Sequence, residues 1–170
     1  MSLSIGGAAG WYGSKYKEIS KDVPGFVKAI KDTVDFVEAN NPGLIINGIE
    51  FDYEDSTALG FGSPNTKKFV AEYDGVQFMI DVTKQTREAF QDKSVDGNRF
   101  LISHAPQFPY MCSEKNKENA KGQTCKVNGC SDDPKEGCGV TNSYEQINKA
   151  VGEEIDFYNI QYYNTPIGNQ

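Results

Sequence analysis

No apolar run in this chain approaches the ~20 residues that a helix needs to span a bilayer. Positive charge is also scarce: 17 Lys and Arg stand against 24 Asp and Glu, a net charge of −7. A phosphate backbone or an anionic lipid surface would repel such a chain, so neither nucleic acid nor membrane is an expected partner. Gly6-Gly7-Ala8-Ala9-Gly10 is rich in glycine, but it lacks Gly-x-Gly-x-x-Gly spacing and a following Lys-Ser/Thr. A phosphate cradle is therefore not expected, and no cofactor is implied. The stretch Met1–Gly7 has neither the basic region nor the apolar core of a signal peptide; it reads as a strand that begins without a lead-in.

Cysteine is confined to one polar segment. Cys112, Cys125, Cys130 and Cys138 lie among Lys, Asn, Gly, Asp and Glu. No Cys-x-x-Cys pair occurs and no histidine falls between them, which argues against zinc. One or two disulfides pinning a long loop at about 111–140 is the favoured reading, with three pairings open if all four are used, and free thiols are the alternative. Disulfides imply an oxidising compartment, so secretion is expected.

What the chain does have is an acidic strand. In Asn47-Gly48-Ile49-Glu50-Phe51-Asp52-Tyr53-Glu54 the carboxylates Glu50, Asp52 and Glu54 share one parity, about 6.5–7 Å apart between neighbours. Ile49, Phe51 and Tyr53 point the other way, into apolar packing. Carboxylates on so apolar a strand are costly unless solvated, paired or protonated. An edge strand with one wet face would account for them, and so would a site that uses raised proton affinity for general acid chemistry. Leu44-Ile45-Ile46 leads in without alternation, which suggests burial on both faces and a parallel, helix-covered sheet.

At 170 residues the chain is long enough for one domain with a real core. Strand signals fall at Leu3–Gly6, Leu44–Tyr53, Arg99–His104 and Ile155–Tyr163. Phe26, Ile30, Val34 and Val37 predict a helix over Pro24–Asn40, capped by Asp22 and stopped at Asn41-Pro42-Gly43. Phe69, Tyr73, Phe78, Met79, Val82 and Phe90 predict one long helix or two short ones between Thr66 and Asp92, with Gly75 as an interior weak point. Tyr144, Ile147 and Val151 predict a helix over Ser143–Gly152. The order β-α-β-α-β-loop-α-β points to parallel strands with crossovers. Long loops follow the strands, at Gly7–Lys17, Asp55–Asn65 and Ala105–Thr141, which is where α/β folds keep their chemistry. His104, the only histidine, ends a strand and reads as structural.

Asn47–Glu54 resembles the D-G-x-D-x-D-x-E strand of glycoside hydrolase family 18. Ser4-Ile5-Gly6-Gly7 is similar to the family's S-x-G-G motif. Ala105-Pro106-Gln107 and Gln161-Tyr162-Tyr163-Asn164 resemble the A-P-Q and Q-F-Y-N segments of its plant-type (class III-like) chitinases. The four matches occur in the family's order, each at the end of a predicted strand.

The resemblance implies a (β/α)₈ TIM barrel, of which residues 1–170 would cover strands three to six as a partial catalytic domain. Four strands do not close an eight-stranded barrel, so a central fragment is expected. It also implies retaining, substrate-assisted hydrolysis of β-1,4-linked N-acetylglucosamine, with chitin or its oligosaccharides as partner. In that reading Glu54 is the general acid, Asp52 orients the acetamido group, Glu50 lies behind Asp52, and Tyr163 donates to the acetamido oxygen. Gln161, Asn164, Gln107, Trp11 and Gly7 would line the sugar subsites. Trp11 packing over the rim and Tyr163 packing in the core remain the alternatives for those aromatics. An endo-β-N-acetylglucosaminidase acting on N-glycans, a non-catalytic sugar-binding protein and an isolated fragment without activity remain the alternatives. Asn47 and Glu50 depart from the motif: the family has an acid at the first position and a shorter Asp at the second.

Overall fold

The computed structural model describes residues 1–7, 13–55, 58–59, 73–107 and 143–161. Its centre is a parallel four-stranded sheet: β1 (Ser2–Gly6), β2 (Gly48–Asp52), β5 (Leu101–His104) and β6 (Phe157–Tyr158), in that spatial order. A two-stranded antiparallel hairpin, β3 (Ser94–Val95) with β4 (Asn98–Arg99), stands apart from it. The helices are α1 (Gly13–Ile19), α2 (Val23–Asn40), α3 (Gly75–Ala89) and α4 (Ser143–Val151), the last running into a 3₁₀ turn at Gly152–Glu154. The mixed α/β class and the parallel pairing expected from the element order are both present.

The helices form where spacing and caps agree. Asp22 accepts a 2.9 Å hydrogen bond from the Gly25 N–H at the start of α2. Val23, Val27, Ile30 and Val34 make its buried stripe. Asp74 caps α3 in the same way, accepting from the Gln77 N–H at 2.9 Å. The stripes of α2, α3 and α4 join Ile49, Phe51, Tyr53 and Ile102 in one core cluster. His104 belongs to this side of the sheet: it is paired in register with Phe51 and lies edge-on to the Tyr144 ring.

Five expectations need correction; the strand expected over Ile155–Tyr163 is, among the described residues, a ladder only at Phe157–Tyr158. The strand expected over Leu44–Tyr53 is only Gly48–Asp52. Leu44–Ile46 is not in the ladder, Ile45 is 54% exposed, and the Ile46 N–H donates to Glu38 Oε1. Its hydrophobicity therefore did not signal burial on both faces. Gly75 is the first residue of α3 rather than an interior break. The loop expected over Gly7–Lys17 contains most of α1, a helix too short to show a period. The strand expected from Arg99 begins at Leu101, because Arg99 is committed to the hairpin.

An ion-pair cluster ties the sheet to its helices at the ends of the strands opposite the acids. Asp156 bridges Arg87 and Arg99 at 2.8 Å each and accepts from the Ile102 N–H at 2.7 Å. Burial alone would raise the Asp156 carboxyl, but these hydrogen bonds and charges hold it below its ordinary value. Arg87 also reaches the backbone oxygens of Phe100 and Glu154. One guanidinium of α3 thus fixes the entries to both β5 and β6.

Candidate functional site

Alternation on β2 is as the sequence requires. Ile49, Phe51 and Tyr53 are buried, whereas Glu50, Asp52 and Glu54 are half-buried on the opposite face. Ladder partners share a face, so Ser4 and Gly6 of β1 and Ser103 of β5 lie on the acidic side. Each acid then finds a side-chain partner from another strand or its extension. Glu50 accepts from Ser4 Oγ at 3.4 Å and from Asn159 Nδ2 at 3.2 Å. Asp52 accepts from Gln161 Nε2, whose amide nitrogen also donates to the Ala105 carbonyl at 2.8 Å. Glu54 accepts from Gln107 Nε2 at 3.0 Å. Gln107 and Gln161 are themselves paired by a parallel bridge beyond β5 and β6.

Glu54 also lies close enough to Asp52 to bear on its titration. Burial raises the Asp52 carboxyl above its ordinary value; the hydrogen bonds from Gln161 and Glu54 offset part of that rise, and the Glu50 charge adds to it. The net direction is upward. The arrangement is a row of three acids whose central carboxyl holds its proton more tightly than an exposed one.

The glycines of β1 make this closeness possible. A Cβ on Gly6, at φ +123°, would stand 2.0 Å from the Asp52 carbonyl oxygen. Gly7, at φ +93°, donates its N–H to that oxygen at 2.8 Å, and a Cβ there would meet Asp52 Oδ2 at 3.4 Å. The Gly6-Gly7 turn is thus built around Asp52.

Of the residues singled out from the sequence, Gly7, Glu50, Asp52, Glu54, Gln107 and Gln161 come together at the ends of neighbouring strands. Trp11, Tyr163, Asn164 and all four cysteines lie outside the described residues. His104 is fully buried on the other face of the sheet, and burial drives its pKa down to about 3. Its Nε2 lies 3.0 Å from Thr83 Oγ1, so it is structural as expected.

Two partners were not foreseen. Asn159 shares the parity of Gln161, and that two-residue spacing was available as a signal. Tyr16 of α1 is buried with its ring centroid 4.8 Å from that of Tyr53. Burial, then the charges of Asp52, Asp55 and Glu54, push its phenol well above the ordinary range. Nothing local in the sequence marks it. Among the described residues no group of three His, Cys, Asp or Glu could hold a metal ion, and no helix is long and apolar enough to cross a membrane.

Comparison with protein-family models, with curated proteins and with solved structures finds no match to the chain. The functional reading therefore rests on the residues and their geometry.

Proposed function

We propose that the acidic end of β2 is the catalytic centre of a retaining glycoside hydrolase acting on β-1,4-linked N-acetylglucosamine, resembling the plant-type chitinases of family 18. The observation that carries the reading is the row of three acids on one face of β2 and its extension, each held by a side chain from another strand or its extension. It sets Glu54 beside Asp52, as an acid and its orienting partner require.

In this mechanism Glu54 protonates the glycosidic oxygen as the C1–O bond breaks. The acetamido carbonyl oxygen of the same sugar bonds to C1, giving an oxazolinium ion. Asp52 accepts from the acetamido N–H and offsets the developing positive charge. Glu54, now a carboxylate, takes a proton from water as that water attacks C1, the ring opens, and configuration is retained. Gln161 and Gln107 hold the two acids, and Tyr163 is assigned to the acetamido oxygen by the motif it belongs to. The extra methylene of Glu50 has a use: its carboxylate spans to Ser4 on one side and Asn159 on the other.

The strand order supports the finer fold assignment. A sheet whose parallel strands follow chain order, with three helices packed on one face and acids on the other, has the layout of an arc of a (β/α)₈ barrel. We assign β1, β2, β5 and β6 to strands three to six of such a barrel, with an extracellular location following from the cysteines.

The deciding experiment is turnover of chitin oligomers by wild type and Glu54→Gln. The amide keeps the shape but has no acid proton, so kcat is expected to fall by about 10²–10⁴-fold. Equal turnover by the two proteins would sink the mechanism. Saturable sugar binding without turnover by either would favour a binding protein, and faster release of N-glycans than of chitin fragments would favour an endo-β-N-acetylglucosaminidase.

A further inference from the structure

Glu54 comes after the last strand residue of β2, Asp52. Among the described residues, the last ladder bonds around β2 are Ala105 N–H to Phe51 O, at 2.9 Å, and Gly7 N–H to Asp52 O, at 2.8 Å. Glu54 lies beyond both. Its two neighbours in sequence, however, are bound to one and the same atom. Tyr73 Oη donates to Asp55 Oδ2 at 2.8 Å and shares a 2.6 Å hydrogen bond with Tyr53 Oη. With its own proton committed to Asp55, Tyr73 accepts from Tyr53. A single hydroxyl therefore staples residue 53 to residue 55 across Glu54.

The staple is anchored at every end. Tyr53 is 2% exposed and sits in the core. Asp55 Oδ1 accepts from the Ala58 N–H, and the Asp55 carbonyl accepts from the Leu59 N–H, at 3.1 Å each. The Ala58 carbonyl in turn accepts from the Gly75 N–H at 3.1 Å. Tyr73 lies two residues before Gly75, where α3 begins, so the turn after Glu54 is moored to a helix end. Burial raises both phenols above their ordinary range, so they stay protonated and able to donate.

We infer that Tyr73 is a positioning residue for Glu54, acting through Tyr53 and Asp55 to hold the acid where it meets Asp52 and Gln107. The inference rests on the reading of Glu54 as the proton donor for its kinetic consequence, but not for its geometry. Tyr73→Phe removes one oxygen and keeps the ring that packs edge-on to Phe78 at 6.1 Å.

The test is ¹⁵N relaxation of the full chain together with kinetics on chitin oligomers. In Tyr73→Phe the order parameter of the Glu54 amide should fall from the ~0.85 of rigid backbone toward ~0.6, while α2 and the β1–β2 ladder keep theirs. kcat should fall by about tenfold to a hundredfold with KM within about twofold, the pattern of a misplaced catalytic group. Asp55→Asn, which leaves one oxygen for two donors, should loosen Glu54 in the same way and serves if Tyr73→Phe does not fold. An unchanged Glu54 order parameter in a folded variant overturns the inference. So does failure of both variants to fold, since the hydroxyl would then be holding the fold rather than the acid. Loosening of Glu54 in a protein whose wild type leaves chitin oligomers intact would support the staple and count against the hydrolytic reading.

Discussion

His104 shows what one buried side chain does to the pH response. Thr83 Oγ1 gives its proton to the Met79 carbonyl at 2.6 Å, so it accepts from His104 Nε2–H, and Nδ1 is the bare nitrogen. Among the described residues Nδ1 has no hydrogen-bond partner. A proton there would place a charge in the core beside the Phe51 and Tyr144 rings. The folded-state pKa of about 3 lies below the ~6.5 of an unfolded histidine. Between those values the unfolded chain binds more protons, so the contribution is complete above the unfolded pKa and is lost as pH falls. About 2 kcal/mol should be gone by pH 5. Denaturant midpoints measured across this range should drop on acidification in wild type, and His104→Gln should flatten that part of the slope. The role of His104, like the acid row, was legible because alternation along a strand is a local rule. Tyr16, Asp55 and Tyr73 were not, since what gives them meaning is contact across distant parts of the sequence.

At the scale of elements, Gly75 is where β2, the turn after it and α3 meet. A Cβ there would stand 2.5 Å from Tyr53 Oη and 2.7 Å from Ala58 Cβ. Gly75→Ala should therefore destabilise by about 1–3 kcal/mol, although alanine is the better helix former by about 1 kcal/mol. Thermal or chemical unfolding of the variant measures this directly, and a gain in stability would mean that the contact relaxes freely. The same position shows why element boundaries were hard to read. A glycine inside a periodic run looks like a break, whereas here it is the close approach that starts the helix. α2 was legible from end to end because cap, stripe and stop all agree. The hairpin carried its own signal, Asp96-Gly97 between Val95 and Asn98, with φ +52° and +77° at the two turn residues. It escaped notice because two-residue strands carry no period.

Across the whole molecule, strand order in space follows strand order in the chain, apart from the small hairpin. The sequence conveyed the parallel pairing, since helices alternating with strands point to crossovers between parallel neighbours. It also conveyed the face on which the acids sit. It did not convey the lengths of the strands, because apolar content does not distinguish a ladder residue such as Ile49 from an exposed neighbour such as Ile45. The ion-pair cluster around Asp156 was equally hidden, as Arg87 and Arg99 reach it only once α3 and the hairpin are in place.

That strand order has a temporal side. Each pairing adds a later segment to an edge already formed, so β1 can wait only for β2, β2 for β5, and β5 for β6. Asn159 and Gln161, which bind Glu50 and Asp52, come with the β6 segment, which pairs with β5. Long-range pairings of this kind form slowly, because each closes a large loop before it is rewarded. Pulse-labelled hydrogen exchange during refolding should protect the β1–β2 amides before those of Asn159 and Gln161, and simultaneous protection would contradict the sequence of events. Until that segment arrives, the acids stand in a row without two of their amides. The acid row is thus in register before its amides reach it, and a refolding copy displays its carboxylates before it can hold them in place.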